Sequence, residues 1–256
     1  MTRLHIVGCP RSGTSLLLEL LATCFENDGH CAHELSLFDP PPIHSGLYIS
    51  KQPTDIRRLR TVFPRDERLH ILYISRDPRA VVTSMHAEHP GLYFCNYRVW
   101  KDCQLAAGNY RGHPRFHSLR YEDLVTHPDA AQDELASRFP FLRKRHAFRD
   151  FHEHAVTDKA ALRAMNGLRP ISTDDLQGWR RHLPRLAQQL QRWPGMARDI
   201  VALGYEPDDS WWTGLDGVRP REFPCRYPDS RPVLREWETT LRTWWRSRRY
   251  LRQIKA

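Results

Sequence analysis

Gly8-Cys9-Pro10-Arg11-Ser12-Gly13-Thr14-Ser15 has the frame of a phosphate-binding loop, G-x-x-x-x-G-K-[ST], with Thr14 standing where the lysine would be. In a nucleoside-triphosphate loop that lysine reaches the β- and γ-phosphates and the following hydroxyl holds magnesium. Here the cation has moved into the loop as Arg11, while the amides of residues 12–15 and the hydroxyls of Thr14 and Ser15 remain to meet oxygen atoms. The pattern predicts a shorter anion, bound without a required metal. A second group, Arg76-Asp77-Pro78 with Ser84 eight residues beyond Arg76, follows an apolar run. Its spacing predicts Ser84 about two helical turns along the next helix, with Arg76 and Ser84 closing on one anion. Two anion positions suit a nucleotide that carries phosphates at two places. A tight turn at Gly13 and an ordinary Arg76–Asp77 surface pair are the plain alternatives.

Such groups need a scaffold, and hydrophobic period together with Pro and Gly punctuation predicts one in which strands alternate with helices. Strands are expected at Leu4–Cys9, Leu47–Ser50, Leu69–Ser75 and Phe116–Tyr121, and helices at Thr14–Phe25 and near 94–108, 128–139, 173–192 and 194–203. That order predicts an α/β fold of the P-loop type: a central parallel sheet flanked by helices, with ligands at the carboxyl ends of the strands. The expected division is 1–205 for this domain and 206–256 for an extension. The extension opens as a Pro- and Trp-rich wrap and ends in a helix over 233–254, with Leu234, Trp237, Leu241, Trp244 and Leu251 at three- and four-residue steps.

The 256 residues, 40% hydrophobic and 27% charged, describe a globular enzyme and exclude disordered, collagenous and coiled-coil classes. The Leu16–Phe25 run is broken by Glu19 and is too short for a membrane span, and the N-terminal residues lack a secretory pattern, so a cytoplasmic protein is expected. Six scattered cysteines lack metal or redox spacing and are expected as free thiols. The net charge is +9, and 34 of the 39 basic residues are Arg, the cation that forks onto phosphate or sulfate oxygens. Seven basic and two acidic residues fall in 233–256.

Taken together, these segments resemble the sulfotransferases that use 3′-phosphoadenosine 5′-phosphosulfate (PAPS). Pro10-Arg11-Ser12-Gly13-Thr14-Ser15 is similar to that family's 5′-phosphosulfate loop, and Arg76 with Ser84 to its 3′-phosphate site. Lys51-Gln52-Pro53 resembles its Lys-x-Pro, and Tyr121-Glu122-Asp123-Leu124 its Tyr-Glu-x-Leu turn, whose Tyr approaches the nucleotide. Ser172 to Trp179, then Leu203-Gly204-Tyr205-Glu206-Pro207, look like the end of the catalytic domain in the branch that contains the protein-tyrosine sulfotransferases; Gly178 stands where that branch often has a basic residue. The resemblance covers about 3–207. It implies PAPS as co-substrate, adenosine 3′,5′-bisphosphate (PAP) as product, no metal, and in-line transfer of a sulfuryl group to an acceptor hydroxyl. Arg11 and Lys51 would hold the sulfuryl group and its bridging oxygen, and Ser12, Gly13, Thr14, Ser15, Arg76, Ser84 and Tyr121 the nucleotide. Glu34 occupies the place of the branch's catalytic carboxylate, with His33, His30 and His44 as rival bases.

The acceptor's class (saccharide, phenol or tyrosine, lipid, small metabolite) is open, its pocket being expected from loops 35–48 and 86–115. Two other functions fit parts of the sequence. A P-loop kinase of a small metabolite would need the missing lysine. A non-catalytic protein binding polyanions or membranes would leave the ordered set Arg11, Arg76 and Ser84 unexplained, which speaks against nucleic acid. A homodimer and contact of the basic helix with a membrane surface stay open.

Overall fold

The computed structural model describes residues 1–27, 30–42, 45–86, 89–165, 167–227, 229–230 and 233–254. Five strands, β1 (Thr2–Gly8), β2 (Cys31–Ala32), β3 (Leu47–Lys51), β4 (Leu69–Ser75) and β7 (Phe116–Arg120), form one sheet in the order β2-β3-β1-β4-β7, parallel throughout. Between β4 and β7 lies a separate antiparallel pair, β5 (Met85–His86) and β6 (His89–Tyr93). The helices are α1 (Thr14–Cys24), α2 (Pro78–Val82), α3 (Tyr97–Gly108), α4 (Tyr121–Thr126), α5 (Pro128–Arg138), α6 (Phe151–His154), α7 (Lys159–Met165), α8 (Leu183–Arg192), α9 (Gly195–Ala202) and α10 (Val233–Gln253).

β1 is buried on both faces, as a central parallel strand must be. Leu4 and Ile6 join a core with Leu17, Leu20 and Leu21 of α1, Leu135 of α5 and Phe151 of α6. Val7 joins the opposite core, with Ile56, Trp100 of α3, Leu186 of α8, Ile200 of α9 and Tyr250 of α10. The result is the expected three-layer α/β fold with a helical C-terminal extension. Arg3 and His5, on the same face of β1 as Val7, are fully buried as well. Arg3 donates to the carbonyls of Ser36 (3.0 Å), Leu37 (3.0 Å) and Asp39 (3.1 Å), so a strand residue fastens the chain that follows β2.

Several boundaries differ from the sequence expectation. The stretch 173–192 is not one helix: a turn leads to a 3-10 segment, Gly178–His182, because Pro184 fits only the first turn of a new helix, α8. Tyr121 opens α4 instead of closing a strand, and α2 ends at Val82, so Ser84 lies just past the helix. The stretch 86–115 divides into the β5–β6 hairpin and α3, whose Trp100 and Cys103 are in the core. The Pro- and Trp-rich wrap packs along that hairpin, with the Tyr93 amide donating to Pro224 O (3.0 Å) and the Arg226 amide to Tyr93 O (2.9 Å).

Candidate functional site

Sheet register sets the site. Ile6 lies opposite Lys51 and Gly8 opposite Ile74, so the loop after β1 emerges between the carboxyl ends of β3 and β4. At Gly8 a Cβ would stand 2.7 Å from the Ile74 carbonyl, so only glycine permits this approach of β1 to β4. In the loop, Arg11 (φ 73°) and Gly13 (φ 94°) are both left-handed, and turns of this kind aim successive amides into one concavity. Gly13 caps α1 without a side-chain bond, which leaves the first-turn amides open to a ligand. A Cβ on Gly13 would lie 2.5 Å from Cδ2 of Tyr121, whose ring covers the loop.

Two guanidinium groups face this concavity. Arg11 donates from Nε to Ser84 Oγ at 2.8 Å and lies over the Phe94 ring at 5.8 Å. Burial and the nearby charge of Arg76 lower its pKa. Arg76 stacks on the Tyr121 ring at 4.1 Å and donates to the Arg11 carbonyl at 3.1 Å, while its buried Nε has no partner. Among the described residues neither arginine has a carboxylate within ion-pair distance, and the buried Ser12 Oγ is also unpartnered. Two partly buried cations beside open amides favour an anion strongly, since each otherwise remains uncompensated.

Asp77 does not pair with Arg76. Its carboxylate caps α2 by accepting from the Arg79 amide (2.8 Å) and binds the Arg79 guanidinium (2.6 Å). Arg79 also pairs with Glu206 and lies between Trp179 (4.4 Å) and Trp211 (5.0 Å), so the late Trp179 and Tyr205-Glu206 segments return to brace the β4 end. Glu122 adds a strut by accepting from the Asp77 amide at 2.9 Å; burial raises its carboxyl pKa, with the Asp77 amide pulling the other way. The indole of Trp100 donates to the Arg76 carbonyl at 2.9 Å.

On the β3 side, buried Lys51 pairs with Glu34, which has φ 51° and a side chain 62% exposed. The Glu34 side chain therefore stands largely in solvent and does not pack beside the buried Leu37 and Phe38. Burial raises the Asp55 carboxyl, but the His5 ring 3.5 Å away, the Leu37 amide (2.5 Å) and Arg58 (3.0 Å) outweigh it and lower its pKa. Burial lowers the pKa of His5, which keeps the ring neutral against Ser50 Oγ at 2.8 Å. This network and Arg3 hold the 36–39 segment, and with it the position of Glu34. His33 is engaged elsewhere, on Glu19 of α1 at 2.5 Å, and Glu19 also accepts from Thr157 Oγ1 at 2.9 Å. His30 gives its carbonyl to the Ile49 amide, and His44 lies outside the described residues.

From the concavity a cleft of about 200 Å³ runs past Thr14 and Ser15. It is lined further by the apolar Leu16, Val125, Phe151, Met165 and Ile171 and by the polar Arg169, Ser172 and Asp175. Sequence reasoning missed this apolar lining, because its members come from α1, α4, α6, α7 and the loop after it and share no spacing.

No family model matches the chain, and no curated protein matches it. Among solved structures, a mouse sulfotransferase complexed with PAP aligns with 64% of this chain at 14% identity and a TM-score of 0.39; the chain spans 63% of the mouse protein's length. The sulfotransferase domain of the Synechococcus olefin synthase aligns with 70% of this chain and 86% of that one, at 16% identity and a TM-score of 0.43. The sulfotransferase domain of the curacin biosynthetic pathway aligns with 71% and 97%, at 17% and 0.34. The chain is similar to solved sulfotransferases.

Proposed function

We propose that the protein is a PAPS-dependent sulfotransferase acting on an acceptor hydroxyl. The observation that carries this reading is the pair of forks, Arg11 and Arg76, without carboxylate partners at the ends of neighbouring strands and beside the open N-terminus of α1. A nucleotide with anionic groups at two positions satisfies both, and the unpartnered Ser12 Oγ and Arg76 Nε supply further hydrogen bonds to it. When bound, PAPS supplies an activated sulfuryl group.

Arg76, with Ser84, holds the 3′-phosphate. The purine would lie against the side chains of Leu16, Phe151 and Ile171, which line the same cleft. Arg11 and the amides of 12–15 hold the 5′ end and stabilise charge on the sulfuryl oxygens, and Lys51 neutralises the bridging oxygen that departs. Glu34 accepts the acceptor's proton, and its pairing with Lys51 fixes the carboxylate until the acceptor arrives.

Thermal unfolding with three ligands tests the reading: PAP should raise the melting temperature without added metal, and ATP with magnesium or DNA should not. Incubation with radiolabelled donor and a panel of saccharides, phenols, tyrosyl peptides and lipids, with products identified by mass spectrometry, then names the acceptor. Stabilisation by ATP with magnesium and none by PAP would sink the proposal.

A further inference from the structure

Helix α10 touches the core with one side only. Tyr250 is buried and donates to Asp66 Oδ2 at 2.5 Å, Ser247 is buried, and Arg246 binds Asp39 at 3.1 Å and covers the Phe38 ring. On the other side Trp237 (68% exposed), Leu241 (56%), Trp244 (44%) and Trp245 (66%) stand in solvent. At about 100° per residue these four and Arg248 fall within an arc of about 100°, centred nearly opposite the arc of Arg246, Ser247 and Tyr250. Leu251, which packs against the core, lies beside Trp244 around the helix, so the exposed stripe adjoins the buried side and extends from it into solvent. The side chain of Leu234 lies outside the described set.

The charges around the stripe identify what covers it. From Thr239 to Gln253 the helix has no acidic residue and five arginines, Arg242, Arg246, Arg248, Arg249 and Arg252. The Arg248 guanidinium stacks on Trp244 at 4.1 Å, which places a cation within the aromatic stripe. A second copy of this helix laid parallel would set arginines against arginines, and laid antiparallel would offer only Glu236 and Glu238 to five arginines, while nucleic acid would match the charge but leave three indoles and a leucine in water. A lipid surface with anionic headgroups meets both requirements, because indoles and leucine enter the headgroup–acyl boundary while arginines stay at the phosphates. No described helix is long and apolar enough to cross a membrane, so α10 would lie along the surface.

We propose that α10 is a membrane-surface docking helix that seats Trp237, Leu241, Trp244 and Trp245 into an anionic leaflet. Binding of this kind needs both apolar insertion and basic charge, each arginine contributing several-fold in affinity. The proposal stands apart from the sulfotransferase reading and holds whichever ligand the nucleotide cleft takes.

The test is co-sedimentation of the full chain with vesicles of phosphatidylcholine alone or containing about one-third phosphatidylserine. The protein should pellet with the anionic vesicles and stay in solution with the neutral ones. Trp237→Ser/Leu241→Ser/Trp245→Ser should abolish pelleting, and Arg248→Gln/Arg249→Gln should weaken it roughly 30-fold. Neither set touches the core, so melting temperature should hold. Should the triple variant melt early, quenching of the unmodified protein's tryptophan fluorescence by brominated anionic lipid gives the same answer: quenching supports insertion, and its absence overturns it. Equal pelleting of variant and unmodified protein, no pelleting with anionic vesicles, or a dimer in sedimentation velocity that the triple variant dissociates would each overturn the proposal.

Discussion

Arg11 Nε and Ser84 Oγ lie 2.8 Å apart although 73 positions separate them in the chain. The bond ties the loop after β1 to the segment after α2 and leaves the terminal nitrogens of Arg11 to meet an anion. Ser84→Ala therefore loosens Arg11 as well as removing a hydroxyl from the site. Calorimetric titration should show PAP and AMP both weakened, by about 1 kcal/mol or roughly fivefold. Unchanged AMP affinity would mean that Arg11 is held without this bond.

Arg76 should behave differently if its partnerless, buried Nε serves the second anion position of the proposed nucleotide site. Arg76→Ala is expected to weaken PAP by about 1.5–3 kcal/mol, roughly ten- to a hundredfold, with a much smaller loss for AMP, which lacks the 3′-phosphate. Equal losses in the same titrations would remove Arg76 from the 3′ role.

Glu34→Gln should lower turnover by roughly 10²–10⁴ while the dissociation constant of PAP hardly moves. His33→Ala should cost far less, because its ring serves Glu19 on α1. Single-turnover rates decide the matter; near-full chemistry in Glu34→Gln would move the base elsewhere.

Gly13→Ala combines a left-handed backbone with a Cβ 2.5 Å from the Tyr121 ring. Thermal unfolding should report a loss of about 1–3 kcal/mol, and PAP should no longer stabilise the protein. A variant that melts and binds normally would show that the loop has room to rearrange.

Stability should fall on acidification, through two groups of the network beneath the site. His5 has its folded pKa lowered by burial from 6.5, so the unfolded chain binds the extra proton; this stability is complete above 6.5 and is lost as pH falls below it. Asp55, lowered from 3.8, adds a second loss at more acidic pH. Denaturant titrations from pH 7 to 5 should show the first loss, and His5→Gln should make it shallower, the remainder coming from His70, His117 and His182, whose pKa values burial also lowers. A flat profile in the unmodified protein would contradict a neutral buried His5.

The sequence carried the strands and the cationic loop because both are local. Parallel burial writes itself as apolar runs, and a Gly-containing turn between a strand and a helix needs few residues to be recognised. It set Ser84 on one anion with Arg76 but could not show that Arg11 donates to Ser84 Oγ, because a spacing along one segment says nothing about a loop arriving from the neighbouring strand. Arg3 and His5 were passed over inside an apolar run, and their partners Ser36, Leu37, Ser50 and Asp55 lie on other segments. The apolar cleft lining was unreadable for the same reason, being assembled by tertiary packing from residues with no common period.

The seat of Arg79 between Trp179 and Trp211, with Glu206 on its guanidinium, has a consequence for the order in which the protein can mature. A chain that has left the ribosome only as far as Arg192 already contains every strand, yet Arg79 then has Asp77 alone and an indole on one side. A guanidinium in that state draws water into the β4 end and costs several kcal/mol to bury. The Arg76–Asp77 corner should therefore gain its final shape only after the stretch through Trp211 has been synthesised and has folded back.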